Sequence, residues 1–174
     1  MAATFDLIQS LALSGSSAAT FTSIPATYTD IVIQGNFTTT MPTSSTDIDL
    51  RFNNDTAGNY YQQGAGSNTG LLFRSEAFNG GSVRIIGLQN SQQATGASNP
   101  YLIEVHINEY ANTSYTKNGV NNWSYMVGTA AANVGFGAFQ WRNTVAITRI
   151  DITASGGGTL TGSINLYGIL AGNA

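Results

Sequence analysis

The sequence predicts an all-β domain, and three observations carry that prediction. Apolar residues recur with period two in short runs, and no window carries an apolar stripe at i, i+3, i+4 and i+7 between helix caps. The runs are rich in β-branched and aromatic residues. Clusters of Gly, Ser, Thr and Asn separate them at regular spacing, the pattern of a sandwich or a barrel.

The N-terminal MAATFDLIQSLALSGSSAA has no basic segment, and Asp6 and Gln9 interrupt its apolar run, so it predicts a strand rather than a signal peptide. Phe5, Leu7, Leu11 and Leu13 share one parity in it. Phe21 precedes a turn at Ile24-Pro25. In YTDIVIQGNF, Ile31 and Ile33 share a face. TDIDLRFN places Ile48, Leu50 and Phe52 on one face and Asp47, Asp49 and Arg51 on the other. GLLFRSEAF and VRIIGL are the next strands. In YLIEVHINEY, Ile103, Val105 and Ile107 point inward, opposite Glu104, His106, Asn108 and Tyr110. NWSYMVGT and VGFGAFQW follow. VAITRIDITA changes parity between Ile147 and Ile150, which predicts a β-bulge at Thr148-Arg149. LTGSINLYGIL closes the chain, with Leu166 and Gly168 packed inward. Two polar stretches, Thr38 to Thr46 and Gln89 to Pro100, are long enough to carry contacts.

The length of 174 residues suits one domain spanning 1–174. Hydrophobic residues make up 42% and charged residues only 9%, against about 25% in an average domain. Few charges therefore guard the strand edges, which points to assembly. The net charge is −3 and the six basic residues are scattered, so neither nucleic acid nor an anionic membrane is an expected partner. There is no cysteine, hence no disulfide frame and no thiolate metal site. The sequons at Asn36, Asn54, Asn112 and Asn122 carry little weight in a chain so rich in Asn and Thr.

Four constellations merit weighing as sites. His106, the only histidine, shares a face with Glu104, as a general base and its orienter would. A polar strand face explains the pair equally, and no nucleophile elbow accompanies it. Asp47 and Asp49 share a face, as glycosidase carboxylates could, but such neighbours are ordinary on an exposed strand. LRFNNDTAGNYY gathers oxygens at Asn53, Asn54, Asp55 and Asn59. It lacks the spacing of a calcium loop, whereas Asx-turns and Gly58 make it a chain reversal before Tyr60 and Tyr61. Trp123, Trp141, Tyr60, Tyr61 and Tyr125 could stack on sugars or fill a core. No catalytic, cofactor-binding or metal-binding residue is expected.

A set of ordered motifs resembles tailed-bacteriophage virion structural proteins. It consists of Phe21, Ser23, Ile24, Pro25, Tyr28 and Ile31 to Ile33; then Arg51, Phe52, Asn53, Asp55, Asn59 and Tyr60; then Ile147 to Ile150, Gly156 to Gly158, and Leu166 to Ile169. The resemblance covers both ends of the chain and leaves roughly Gly64 to Pro100 unmatched. It implies a single antiparallel β-sandwich, jelly-roll-like, without enzymatic activity. The implied role is a capsid decoration (cement) protein on the outer surface of the virion, bound to the major capsid protein; the thinly charged edges, set on the three-fold seams of such a shell, make a homotrimer the expected assembly. The alternative is a tail fibre or baseplate module that binds host surface glycan.

Overall fold

The computed structural model describes residues 5–40, 47–68, 71–86, 100–127 and 131–170, with backbone alone for 68, 71–79, 127 and 131. The strands are β1 (Asp6–Ser16), β2 (Ala18–Phe21), β3 (Asp30–Thr40), β4 (Ile48–Phe52), β5 (Tyr60–Asn68) and β6 (Leu71–Gly80). They continue with β7 (Val83–Ile86), β8 (Tyr101–Asn108), β9 (Lys117–Val127), β10 (Ala131–Trp141), β11 (Ile150–Ala154) and β12 (Thr159–Ile169). An eight-stranded sheet runs β1-β12-β3-β8-β9-β10-β5-β6, and a four-stranded sheet runs β2-β11-β4-β7. Every pairing is antiparallel. The hairpins β5–β6 and β9–β10 widen the larger sheet beyond β8.

The sheets close on one apolar core, so the architecture is an antiparallel β-sandwich. Ile31, Ile33, Val105, Ile107 and Leu166 from the larger sheet meet Leu50, Phe52, Ile150 and Ile152 from the smaller, all fully buried. Each such side chain contributes roughly 1.5–3 kcal/mol of burial. Gly168 is buried because the Tyr28 ring lies against its inner face, where a Cβ would meet ring carbon at 2.3 Å. The exposed edge of β7 is covered from the larger sheet: Asn121 donates to the Ile85 carbonyl and Gln62 accepts from the Arg84 amide.

Three expectations require correction. The apolar parity of β1 does not run unbroken, because its pairing with β12 slips between Leu7 and Gln9. The slip turns Phe5 and Leu7 outward, 45% and 58% exposed, while Ile8, Leu11 and Leu13 pack on the core. The parity change at Thr148-Arg149 is not a bulge, since the strand starts only at Ile150. Residues 142–149 form an irregular run in which Ile147 is buried, its N–H donating to the Tyr110 carbonyl. Tyr110 does not follow the outward parity of Glu104 and His106. Glu109 adopts φ 44°, and the turn swings Tyr110 into the core with its hydroxyl donating to the Pro25 carbonyl.

Candidate functional site

The side-chain oxygens of Asn53 and Asp55 in LRFNNDTAGNYY are spent on the protein's own hydrogens. Asn53 and Asn54 take φ of 50° and 57°, a left-handed conformation that asparagine tolerates and that turns the chain out of β4. The Asn53 carboxamide bridges to the irregular run: its oxygen accepts from the Thr148 and Arg149 amides at 3.0 Å, and its nitrogen donates to the Ala146 carbonyl at 2.8 Å. Asp55 accepts from the Ala57 amide, the Asn59 carboxamide and the Trp141 indole at 2.7–2.9 Å. Burial would raise the Asp55 carboxyl, but those hydrogen bonds together outweigh it and hold the group below its ordinary value. Burial pushes the Tyr60 phenol up to about 12, so it stays protonated, accepting from the Phe52 amide with the Phe52 and Asp55 carbonyls in reach of its proton. The knot fastens β4, β5 and the end of β10 together.

Glu104 and His106 share the outer face of β8, yet they do not form a dyad. The His106 Nε2 lies 3.4 Å from Asp30, and Glu104 accepts from the Gln34 carboxamide at 3.1 Å. Asp47 and Asp49 sit on the outer face of the smaller sheet in a network of opposite charges. Arg84 pairs with Asp47 at 2.8 Å. Burial, then the charge of Asp47, raise the Asp49 carboxyl above its ordinary value. On the neighbouring strand Asp151 receives two bonds from Arg149, at 2.9 and 2.7 Å, and one from Thr20 at 2.8 Å. Burial acts to raise Asp151, and the Arg149 and Thr20 bonds reverse that and lower it. Among the described residues no three histidine or acidic side chains gather as a metal-ligand group.

Of the five aromatic residues considered for sugar stacking, four are core. Trp141 and Tyr60 are fully buried and stacked on each other, and Trp123 and Tyr125 stack beneath the larger sheet. Tyr61 is half-buried under the Arg142 guanidinium at 4.2 Å. Parity along a strand, rather than aromatic character, decides these fates.

Sequence reasoning passed over Lys117. Its side chain is 1% exposed, and its ammonium donates to the carbonyls of Asn112, Tyr115 and Thr144. Burial draws its pKa below the ordinary lysine value, against a smaller opposing pull from Glu109. Three donors matched to three carbonyls make it a staple for the loops at one end of the sandwich.

The surface with unspent chemistry is the outer face of the larger sheet. A groove of about 610 Å³ crosses β12, β3, β8, β9 and β10 there. Its polar lining comes from Gln34, Asn36, Glu104, Asn122, Ser124 and Asn165, and its apolar lining from Leu102 and Val134. Strand register sets Asn165 beside Gln34, Gln34 beside Glu104, Glu104 beside Asn122 and Asn122 beside Phe136. Phe136 is 64% exposed, the most open of the large apolar side chains among the described residues. The sequence placed Glu104 on this face but held no signal for the register that aligns five strands.

Fold and surface together define an antiparallel β-sandwich with one face of paired charges and one face rich in unpaired carboxamides among the described residues. No family model, no curated protein and no solved structure matches the chain.

Proposed function

We propose that this chain is a phage virion structural protein, a capsid decoration protein that stabilises the mature head as a trimer bound to the major capsid protein. The observation that carries this reading is the β1 edge. Among the described residues β1 pairs only with β12, it runs eleven residues, and Asp6 is its one charge. Exposed Phe5 and Leu7 stand at its start, with Phe5 against the Tyr167 ring at 4.7 Å. A long edge with a single charge, beside an apolar patch, is a surface made to be covered. The sheet order supports a jelly-roll reading: 1-12-3-8 faces 2-11-4-7, with two hairpins inserted, and capsid and lectin domains share that architecture. Three equal contacts on a three-fold seam add avidity without new chemistry. The loops Thr38 to Thr46 and Gln89 to Pro100, expected to make contacts, lie outside the described residues apart from Thr38 to Thr40 and Pro100.

The second reading, a tail fibre or baseplate module that binds host glycan, is favoured by one observation, the carboxamide-lined groove on the larger sheet. Quantitative mass spectrometry of purified particles separates the two. A copy number comparable to that of the major capsid protein is expected, and a count matching tail components would overturn the decoration role. Sedimentation of the free protein tests the trimer, which a strict monomer in solution and on the particle would defeat.

A further inference from the structure

We infer that the groove on the outer face of the larger sheet binds a neutral oligosaccharide. The inference rests on the glycan-binding reading for its ligand class and adds the site and the means of recognition.

The side chains of Asn36, Asn122 and Asn165 make no hydrogen bond to any described residue, so their donors and acceptors face solvent unspent. Carboxamides present a donor and an acceptor in one plane, which matches adjacent hydroxyls on a pyranose ring. Glu104, held in place by Gln34 at 3.1 Å, keeps its second oxygen to accept from a further hydroxyl. Sugar rings also carry an apolar face, and its counterpart stands beside the groove: exposed Phe136 follows Asn122 in the row. Strands lie about 4.8 Å apart, so the row from Asn165 to Phe136 is long enough for several sugar rings.

Charge selects among ligands. The only formal charge in the groove lining is the Glu104 carboxylate, and no described cation lines the groove to receive an anion. Within that lining an acidic glycan would meet repulsion from Glu104, and a nucleic acid would find no basic partner. A protein partner in a face this polar would leave buried amides to satisfy, whereas a hydroxyl-rich ligand satisfies them itself.

The floor is rigid, which lowers the ordering cost of binding. On its inner side Trp123 lies where a Cβ on Gly135 would meet indole carbon at 2.2 Å, and Ile103 fills the corresponding place at Gly35, at 2.8 Å. Glycine in a strand marks this kind of close approach. The two side chains support the backbone from which Asn36, Val134 and Phe136 project. The groove is therefore preformed rather than shaped by ligand.

The test is a titration of isotope-labelled protein, followed by NMR, with neutral hexose and N-acetylhexosamine oligosaccharides and with sialylated ones as the acidic probe. At least one neutral oligosaccharide is expected to give saturable shifts confined to residues 34–36, 102–104, 122–124, 134–136 and 163–165. Phe136→Ala and Asn122→Ala are each expected to weaken that binding about tenfold or more, the loss of about 1.4 kcal/mol. Val145→Ala, an exposed apolar residue off this face, should leave it unchanged. Absence of saturable shifts with every neutral probe overturns the inference. So does a preference for the sialylated probe, shifts mapping elsewhere, or indifference to both groove variants. A failure here leaves the decoration role intact, since that role stands on copy number and on the β1 edge.

Discussion

The two outer faces of the sandwich spend their polar groups in opposite ways. On the smaller sheet's face, Asp47 pairs with Arg84 and Asp151 with Arg149, and Thr20 completes Asp151. On the larger sheet, the groove carboxamides of Asn36, Asn122 and Asn165 have no protein partner among the described residues. The first face is internal bookkeeping of charge, and a partner would have to break existing bonds to use it. The second has bonds to give. The comparison teaches that, in a chain with 9% charged residues, charge is concentrated where the fold needs it and neutral amides mark the surface left for recognition.

The largest effect that could break this comparison lies in the alternation on which both faces depend. Val105 is fully buried between outward-facing Glu104 and His106. Val105→Asp places an unpaired charge in the core and is expected to cost several kcal/mol, on the order of the largest single-site losses. Urea unfolding measures it. A midpoint equal to that of the parent would mean β8 presents its other face, and the groove would not exist as described.

Next in size is Lys117. Lys117→Met keeps the aliphatic stem but leaves three carbonyls without their donor, at an expected cost of about 3 kcal/mol. Thermal unfolding should show a fall of several degrees. An unchanged midpoint would make the ammonium dispensable to the loops at 112–115 and 144.

How much of this was legible in the sequence follows from what alternation can and cannot encode. Parity alone placed Leu50, Phe52, Ile103, Val105 and Ile107 inside and Asp47, Asp49 and Glu104 outside, because an antiparallel sheet faces water on one side. Parity failed where the backbone left regular pairing. The slip after Leu7 reversed the start of β1, and the run before Ile150 is held by Asn53, 95 residues away from Thr148 in sequence. Trp141 was unassignable to core or surface, because its indole answers Asp55 across 86 residues. The groove was hidden for the same reason: its row joins five strands whose register is a property of the folded sheet.

A subtler test compares two carboxylates on the charged face. Asp151 is held below its ordinary value near 3.8 and Asp49 is raised above it, with burial the leading cause on Asp49. A depressed folded value contributes stability that is full above the unfolded value and lost as pH falls through the folded one. Asp151 should therefore stabilise at neutral pH, and Asp151→Asn should cost about 1 kcal/mol after allowance for solvent screening. A raised value works the other way: ionised Asp49 is unfavourable in the fold above its folded value, and the penalty vanishes once pH falls below about 3.8. Asp49→Asn should raise the melting temperature slightly at pH 7 and lose that gain on acidification. Melting curves from pH 7 to pH 3 check both signs, and a destabilised Asp49→Asn at pH 7 would make its contacts with Arg84 and Ser82 dominant.

The smallest expected effect sharpens the contrast most. If the groove face carries no structural duty, substitutions there should be nearly silent in stability. Phe136 is 64% exposed and Asn122 is open to solvent, so Phe136→Ala and Asn122→Ala should each shift stability by no more than about 0.5 kcal/mol. At roughly 2–4 °C per kcal/mol for a chain of this size, the melting temperature should move by about 2 °C or less. The same modest change at Asp151 removes a bond that the fold uses, whereas at Asn122 it removes one that only water makes. Melting the two sets of variants in one buffer decides the matter. If Phe136→Ala fell as far as Asp151→Asn, the apolar end of the row would be packing the sheet rather than awaiting a ligand. The two outer faces would then differ in charge but not in purpose.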